Sequence, residues 1–217
     1  IMNTGLERYS FRLNLKSELA KRLVLQLNTS YSQTEQKQTS HSQSSSMNQM
    51  VRRILTTKPT LMPGDQIYED ENVEYVPADN PYIMATELKD ILQQRFFILN
   101  ASLTYNFGKG LSWKGAGSFN RTDGSRSTYY PIGTNAGNSA HGMAFRGEDN
   151  RQNIVLETTV NYDRKFKKHH HINAVLGYTH EDRQRKTLAI QVGDFAGNDL
   201  LYYAIGEGTN TMDKSSS

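Results

Sequence analysis

The sequence contains no cysteine. Disulfides, thiolate metal centres and cysteine nucleophiles are therefore excluded, and the absence suits an envelope protein that avoids stray oxidation. Apolar residues are scarce too, at 36% of 217 residues, which is little for a globular core of this length. No run approaches the roughly 20 apolar residues of a membrane helix. Barrel strands escape that criterion, because only alternate residues need be apolar. The net charge is only +3 and the basic residues are scattered. Without a basic stripe and interleaved aromatics, nucleic acid is not an expected partner. No G-x-S-x-G elbow is present. Gly108-Lys109-Gly110 lacks the spacing and the following Lys-Ser/Thr of a phosphate loop, and reads as a hairpin turn. No enzyme is expected. The chain begins at Ile1 with no signal peptide, so the expectation is a fragment that has lost its targeting segment.

What is present is alternation. Twelve Tyr and eight Phe argue against disorder, and many of them fall in period-two patterns. In the first pair, about residues 8–32, Tyr9, Phe11, Leu13 and Leu15 share one face, then Leu23, Leu25, Leu27, Thr29 and Tyr31. Ser17 to Arg22 reads as the turn between them. The second pair, about 93–130, has Phe97, Leu99, Ala101, Leu103, Tyr105 and Phe107, then Leu111, Trp113, Gly115, Gly117 and Phe119. Phe96 and Ile98 interrupt its polar face, where something apolar should pack. The third, about 152–192, has Ile154, Leu156, Thr158, Val160 and Tyr162, then Ile172, Ala174, Leu176 and Tyr178. Side chains alternate across a strand, so each of these strands has one apolar and one largely polar face.

Between the pairs lie long polar segments, about 33–92 and 131–151. The first opens on a Ser/Gln/Thr-rich run, then shows helical spacing over Met47 to Thr57, stopped by Pro59 and Pro63. Residues 195–217 read as a further loop. Short turns thus alternate with long loops, as in outer-membrane barrels with short periplasmic turns and long extracellular loops. That orientation puts Tyr9 and Tyr31 near the outer interface and Phe107 and Trp113 near the inner one. Tyr162 and Tyr178 join them as interface aromatics. The predicted fold class is all-β: an antiparallel up-and-down transmembrane barrel segment of about six strands, in three hairpins, with a short helix in a long extracellular loop.

The phrases RYSFRLNLKSELAKRLVLQLNTSYS, FFILNASLTYNFGKGLSWKGAGSFN and LETTVNYDRKFKKHHHINAVLGYTHE resemble barrel hairpins of the SusC-like TonB-linked outer-membrane transporters. The pieces that carry the resemblance are Lys109-Gly110-Leu111, Asn80-Pro81, and Lys168 to Asn173 leading into Leu176-Gly177-Tyr178. The resemblance implies part of a 22-stranded barrel, with the plug domain and TonB box outside this sequence. It implies import of oligosaccharides or peptides across a Gram-negative outer membrane. The implied partners are a SusD-like surface lipoprotein lid, TonB through the plug region, and outer-membrane lipid. Two other readings of the residues stay open: a structural or adhesive surface β-sandwich, and a passive porin.

Candidate site residues follow from position. Tyr129, Tyr130, Asn135 and Asn138 sit at a loop mouth, where aromatic stacking and amide hydrogen bonds would suit a sugar or a peptide. The row Glu157, Thr159, Asn161 and Asp163 should face the lumen or the plug. His169, His170 and His171 lie on a basic turn, and consecutive strand residues point to opposite faces, so they do not converge on one metal ion. Asp65, Glu69, Asp70, Glu71 and Glu74 form an acidic patch where calcium is conceivable. Their spacing matches no EF-hand, so no cofactor is expected.

Overall fold

The computed structural model describes residues 4–38, 55, 67–68, 77–78, 81–132, 134–166, 170–197, 201–206 and 208–216. The first hairpin is β1 (Gly5–Ala20) with β2 (Leu23–Gln38). After it come the two-residue strands β3 (Ile67–Tyr68) and β4 (Pro77–Ala78) and the helix α1 (Pro81–Thr86). Proline suits the first turn of α1, where its missing N–H has no intrahelical partner to lose. The second hairpin joins β5 (Lys89–Gly108) to β6 (Leu111–Tyr130). A one-turn helix, α2 (Asn135–Ser139), leads to the third, β7 (Met143–Phe166) with β8 (His170–Gly193). A 3-10 turn (Leu201–Ala204) and β9 (Asn210–Ser216) complete the chain. The main sheet is antiparallel, in the order β1-β2-β5-β6-β7-β8-β9. β3 and β4 pair separately.

Directly paired residues share a face of a sheet, so the register decides whether the separate apolar patterns meet. They do. Phe11 pairs with Tyr31 and Tyr31 with Phe97. Leu15 pairs with Leu27, and Leu27 with Ala101. Trp113 pairs with Val160, and Val160 with Leu176. On the opposite face Asn14, Asn28, Asn100 and Ser118 form one row. A one-residue slip at any pairing would have broken both patterns.

The apolar band does not run straight across the register. The pairing carries Arg12, at the middle of the β1 band, through Ser30, Ile98, Asn120 and Asn153 to Arg183 on β8. The β8 band is centred on Val175, eight residues nearer the turn than position 183. Eight residues at about 3.3 Å each, over five strand spacings of about 4.8 Å, correspond to strands inclined by roughly 45° to the band. That is the tilt of strands in a membrane barrel. The band is also uncovered: Tyr9 is 68%, Phe11 60% and Leu176 75% exposed.

The elements differ from the sequence expectations mainly in extent. The turn expected over Ser17–Arg22 contracts to Lys21–Arg22, because β1 stays paired up to Ala20. Lys109 and Gly110 turn the second hairpin with φ of 53° and 87°, the left-handed pair that matches strand twist in a two-residue loop. The loop expected over 131–151 shortens, since β7 begins at Met143. The segment from 195 is more than a loop, because it contains the 3-10 turn and β9. Phe96 remains 39% exposed on the polar face, so the apolar packing expected there does not come from the described residues. The helical spacing over Met47 to Thr57, apart from Leu55, and all five acidic positions from 65 to 74 lie outside the described residues.

Among the described residues, a small core forms at the long-loop end. Tyr129, Ala144, Val192, Phe195 and Tyr202 pack together, with the Tyr129 and Phe195 rings edge-on at 5.8 Å. Burial and the hydrogen bond from Tyr202 to Tyr203 Oη push the Tyr202 phenol up.

Candidate functional site: the polar face and its mouth

Two hollows open on the polar face. The lower, of about 410 Å³, is lined by Gln26, Asn28, Asn100, Ser102, Lys114 and Glu157 among others. These come from adjacent strands because the register places alternate polar residues side by side. Amides and hydroxyls that both donate and accept, with one cation and one carboxylate, make a surface that stays wet or meets other polar groups. Glu157, Thr159, Asn161 and Asp163 all stand on this face, paired with Thr179, Gly177, Val175 and Asn173. Asp163 is engaged: His171 Nε2 lies 2.7 Å from its Oδ1, and the Asn173 amide donates to Oδ2 at 3.3 Å. Among the described residues no cluster of three His, Asp or Glu is placed to hold a metal ion. His169 lies outside those residues.

The upper hollow, of about 500 Å³, is edged by Leu92, Gln94, Arg126, Phe145, Asp149 and Arg151. Its charges are locked in pairs. Asp90 is 1% exposed. Arg126 donates to both its oxygens, at 2.9 and 2.6 Å, and Thr128 Oγ1 donates at 3.1 Å. The fork geometry of guanidinium on carboxylate compensates for burying the charge. Beside it, Asp149 accepts from Arg151 Nη2 at 2.6 Å and Arg185 Nε at 2.9 Å. Those two hydrogen bonds hold its carboxyl below the usual aspartate range. Alternation could not reveal either cluster. Asp90 and Arg126 are 36 positions apart, and only the pairings Asp90–Thr128 and Leu92–Arg126 bring them together.

The four loop-mouth residues do not form one open site. Tyr129 is fully buried in the small core, its hydroxyl 3.4 Å from the Gly197 carbonyl. Its ring packs on protein, which corrects the expectation that it offers a stacking surface. Tyr130 is half-buried and Asn138 is exposed. Asn135 begins α2. The buried Thr134 caps that helix: its hydroxyl accepts from Gly137 N–H at 3.1 Å and donates to the Pro131 carbonyl at 2.8 Å. The loop is therefore folded on itself.

The six aromatics named as interface residues all lie on the apolar face. Toward the short turns, Trp113 donates from Nε1 to Thr158 Oγ1 at 2.8 Å, and its ring lies over Gly115, where a β-carbon would meet it. Tyr105 and Phe107 stack edge-on at 4.7 Å, and Tyr162 pairs with Leu111. Toward the long loops, Phe97 and Phe119 approach to 6.0 Å beside Tyr31. Tyr9 and Tyr178 are both 68% exposed at the loop-side end of the band on their strands.

Comparison with known proteins gives two concordant findings. The chain is 23% identical over 221 aligned residues to TonB-dependent receptor P3 of Formosa agariphila, covering 100% of this chain and 22% of that protein. It superposes on the RagAB peptide transporter with a TM-score of 0.77 at 17% identity, over 99% of this chain and 24% of that one. Both agree with the resemblance of the three hairpin phrases to the SusC-like, TonB-linked transporters. The open-open state of the RagAB peptide importer matches as well, with a TM-score of 0.71 at 18% identity. No family model matches the sequence. The chain spans less than a quarter of the TonB-dependent receptor's length. At these identities the structural matches establish the fold: a segment of antiparallel barrel wall.

Proposed function

We propose that this chain is part of the wall and mouth of a TonB-dependent importer in a Gram-negative outer membrane, carrying oligosaccharides or peptides. The observation that supports it most is the uncovered apolar band, continuous across the long strands and inclined to them by a barrel's tilt. A β-sandwich would cover such a face with a second layer. The polar face and its two hollows then line the interior, with Glu157, Thr159, Asn161 and Asp163 facing water or the plug. In this reading α1, α2 and the loops around Tyr130 and Asn138 shape the mouth beneath a SusD-like lipoprotein. Energy enters through TonB acting on the plug region. The chain's part is passive, and no residue in it acts as a catalyst. The test is uptake by cells expressing the full-length protein, with labelled peptide and labelled oligosaccharide compared. Uptake of one class that stops when TonB is removed is the expected result. Uptake that continues without TonB would favour a passive porin.

A further inference from the structure

We propose that the upper hollow is a subsite for the free C-terminus of a short peptide whose last residue is apolar. The proposal rests on the reading that the polar face lines the interior of an importer, and within that reading it selects peptides over oligosaccharides. The anion end is built from Arg151 and Arg185. They pair directly across β7 and β8, and like charges set opposite each other on a sheet repel. Asp149 holds both. It accepts from Arg151 Nη2 at 2.6 Å and Nε at 3.3 Å, and from Arg185 Nε at 2.9 Å and Nη2 at 3.3 Å. Two cations on one carboxylate leave the trio net positive. Each guanidinium uses the same edge, Nε with Nη2, and neither Nη1 has a partner among the described residues. Both arginine side chains are more than half exposed. Their Nη1 groups are thus open to a second carboxylate, the group guanidinium matches best. At Asp90, by contrast, one guanidinium meets one buried carboxylate.

The apolar end lies next to the trio. Gly124 pairs with Asp149, and Gly147 pairs with Ala189. These small residues keep the floor of the hollow low, with Leu92 and Phe145 at its sides. The Phe145 ring leans over Gly147, where a β-carbon would come within 3.1 Å of it. One face of the ring therefore lies on backbone, and the other is left for the hollow. Gln94 and Thr122 line the same hollow, with an amide and a hydroxyl that suit a peptide bond. The volume, about 500 Å³, is that of an ordinary ligand pocket. The α-carboxylate of a peptide hangs from the same carbon as its last side chain. One terminal residue can therefore meet the arginines and the apolar floor together. A neutral oligosaccharide has no group for the arginines.

The experiment is calorimetric titration of the purified full-length protein in detergent, with TonB-dependent uptake measured in cells beside it. The probes are the tripeptide Ala-Ala-Leu, its C-terminal amide, Ala-Ala-Gly, and octanoate as a carboxylate on a plain apolar chain. Ala-Ala-Leu should bind about tenfold tighter than its amide. The Arg151→Gln/Arg185→Gln variant should erase that preference. Arg183→Gln, on the same face but engaged with Glu181, should keep it. Gly124→Val raises the floor without a clash, since a β-carbon there meets only the Asp149 carbonyl oxygen at 3.6 Å. It should weaken Ala-Ala-Leu about tenfold and spare Ala-Ala-Gly, and it decides the matter if the arginine variant does not fold. The proposal is overturned by no binding of any peptide, by equal binding of acid and amide, or by a preference that survives in the arginine variant or is lost in Arg183→Gln. It is also overturned if Gly124→Val weakens both peptides equally, or if octanoate binds as tightly as Ala-Ala-Leu. Absence of TonB-dependent uptake of any solute would overturn the importer reading itself, whereas such uptake without carboxylate-selective binding would overturn this subsite alone.

Discussion

At the scale of single residues, the structure concentrates its demands at turns and at buried charges. Gly110 has φ of 87°, and a β-carbon there would collide with the Asp163 carbonyl oxygen of the neighbouring strand. Its own carbonyl accepts from Asp163 N–H at 2.8 Å. Gly110→Ala should therefore destabilise the full-length protein by about 1–3 kcal/mol, read as a lower urea midpoint in lipid vesicles. Asp149 makes a prediction in pH. Its carboxyl is lowered first by the Arg151 and Arg185 hydrogen bonds. A depressed carboxylate contributes stability above its unfolded value, and that contribution fades as pH falls through the folded value. Asp149→Asn should thus lower the urea midpoint at neutral pH. The gap from wild type should close as pH drops below the ordinary value of 3.8. A gap independent of pH would contradict the role of charge. The side chains of Asp149 and Arg151 are 35% and 57% exposed, so the effect is modest.

At the scale of elements, the strands were legible where one face is apolar and illegible where neither is. Alternation from Tyr9, Phe97 and Ile154 onward marks the band because an apolar face on one side of a strand requires every second residue to be apolar. Residues 143–151, MAFRGEDNR, carry no such pattern, since both faces there meet water or loops. They are strand only because β6 and β8 supply hydrogen-bond partners on both sides. The same reason hid β9, which is paired along the top of β8. Tyr129 looked like a ligand contact because its partners Phe195 and Tyr202 arrive from a later segment. The hairpins also make a depth prediction. Leu27 lies mid-band and Asn28 lines the lower hollow. Leu27→Arg should cost about 2–4 kcal/mol on insertion into bilayers. Asn28→Arg should change stability by no more than about 0.5 kcal/mol. Equal costs at the two positions, in refolding titrations of the full-length protein, would undo the assignment of faces.

At the scale of the whole molecule, the segment is a tilted, single-layer wall. In the proposed membrane setting its stability comes from ladder hydrogen bonds and from a solvent that accepts the apolar face. Water cannot play that part, which explains why so many of its large apolar side chains are exposed. The proposed orientation rests on loop length. Epitope tags inserted at Ser44 and at Lys168 should be reached from outside the cell and from the periplasm respectively, and the reverse pattern would invert the wall. The inclination of the band was latent in the sequence, since each band could be located by alternation. It emerged only once the register linked Arg12 to Arg183. The central claim, that the band faces lipid, is tested most directly by quenching. Because this segment has no cysteine, single cysteines can be placed along β7 from Ile154 to Tyr162 in the full-length protein and given a fluorophore. In bilayers carrying a lipid-bound quencher, Ile154, Leu156, Thr158, Val160 and Tyr162 should be strongly quenched, and Val155, Glu157, Thr159 and Asn161 should not. Quenching that shows no period of two, or the opposite phase, would contradict the account.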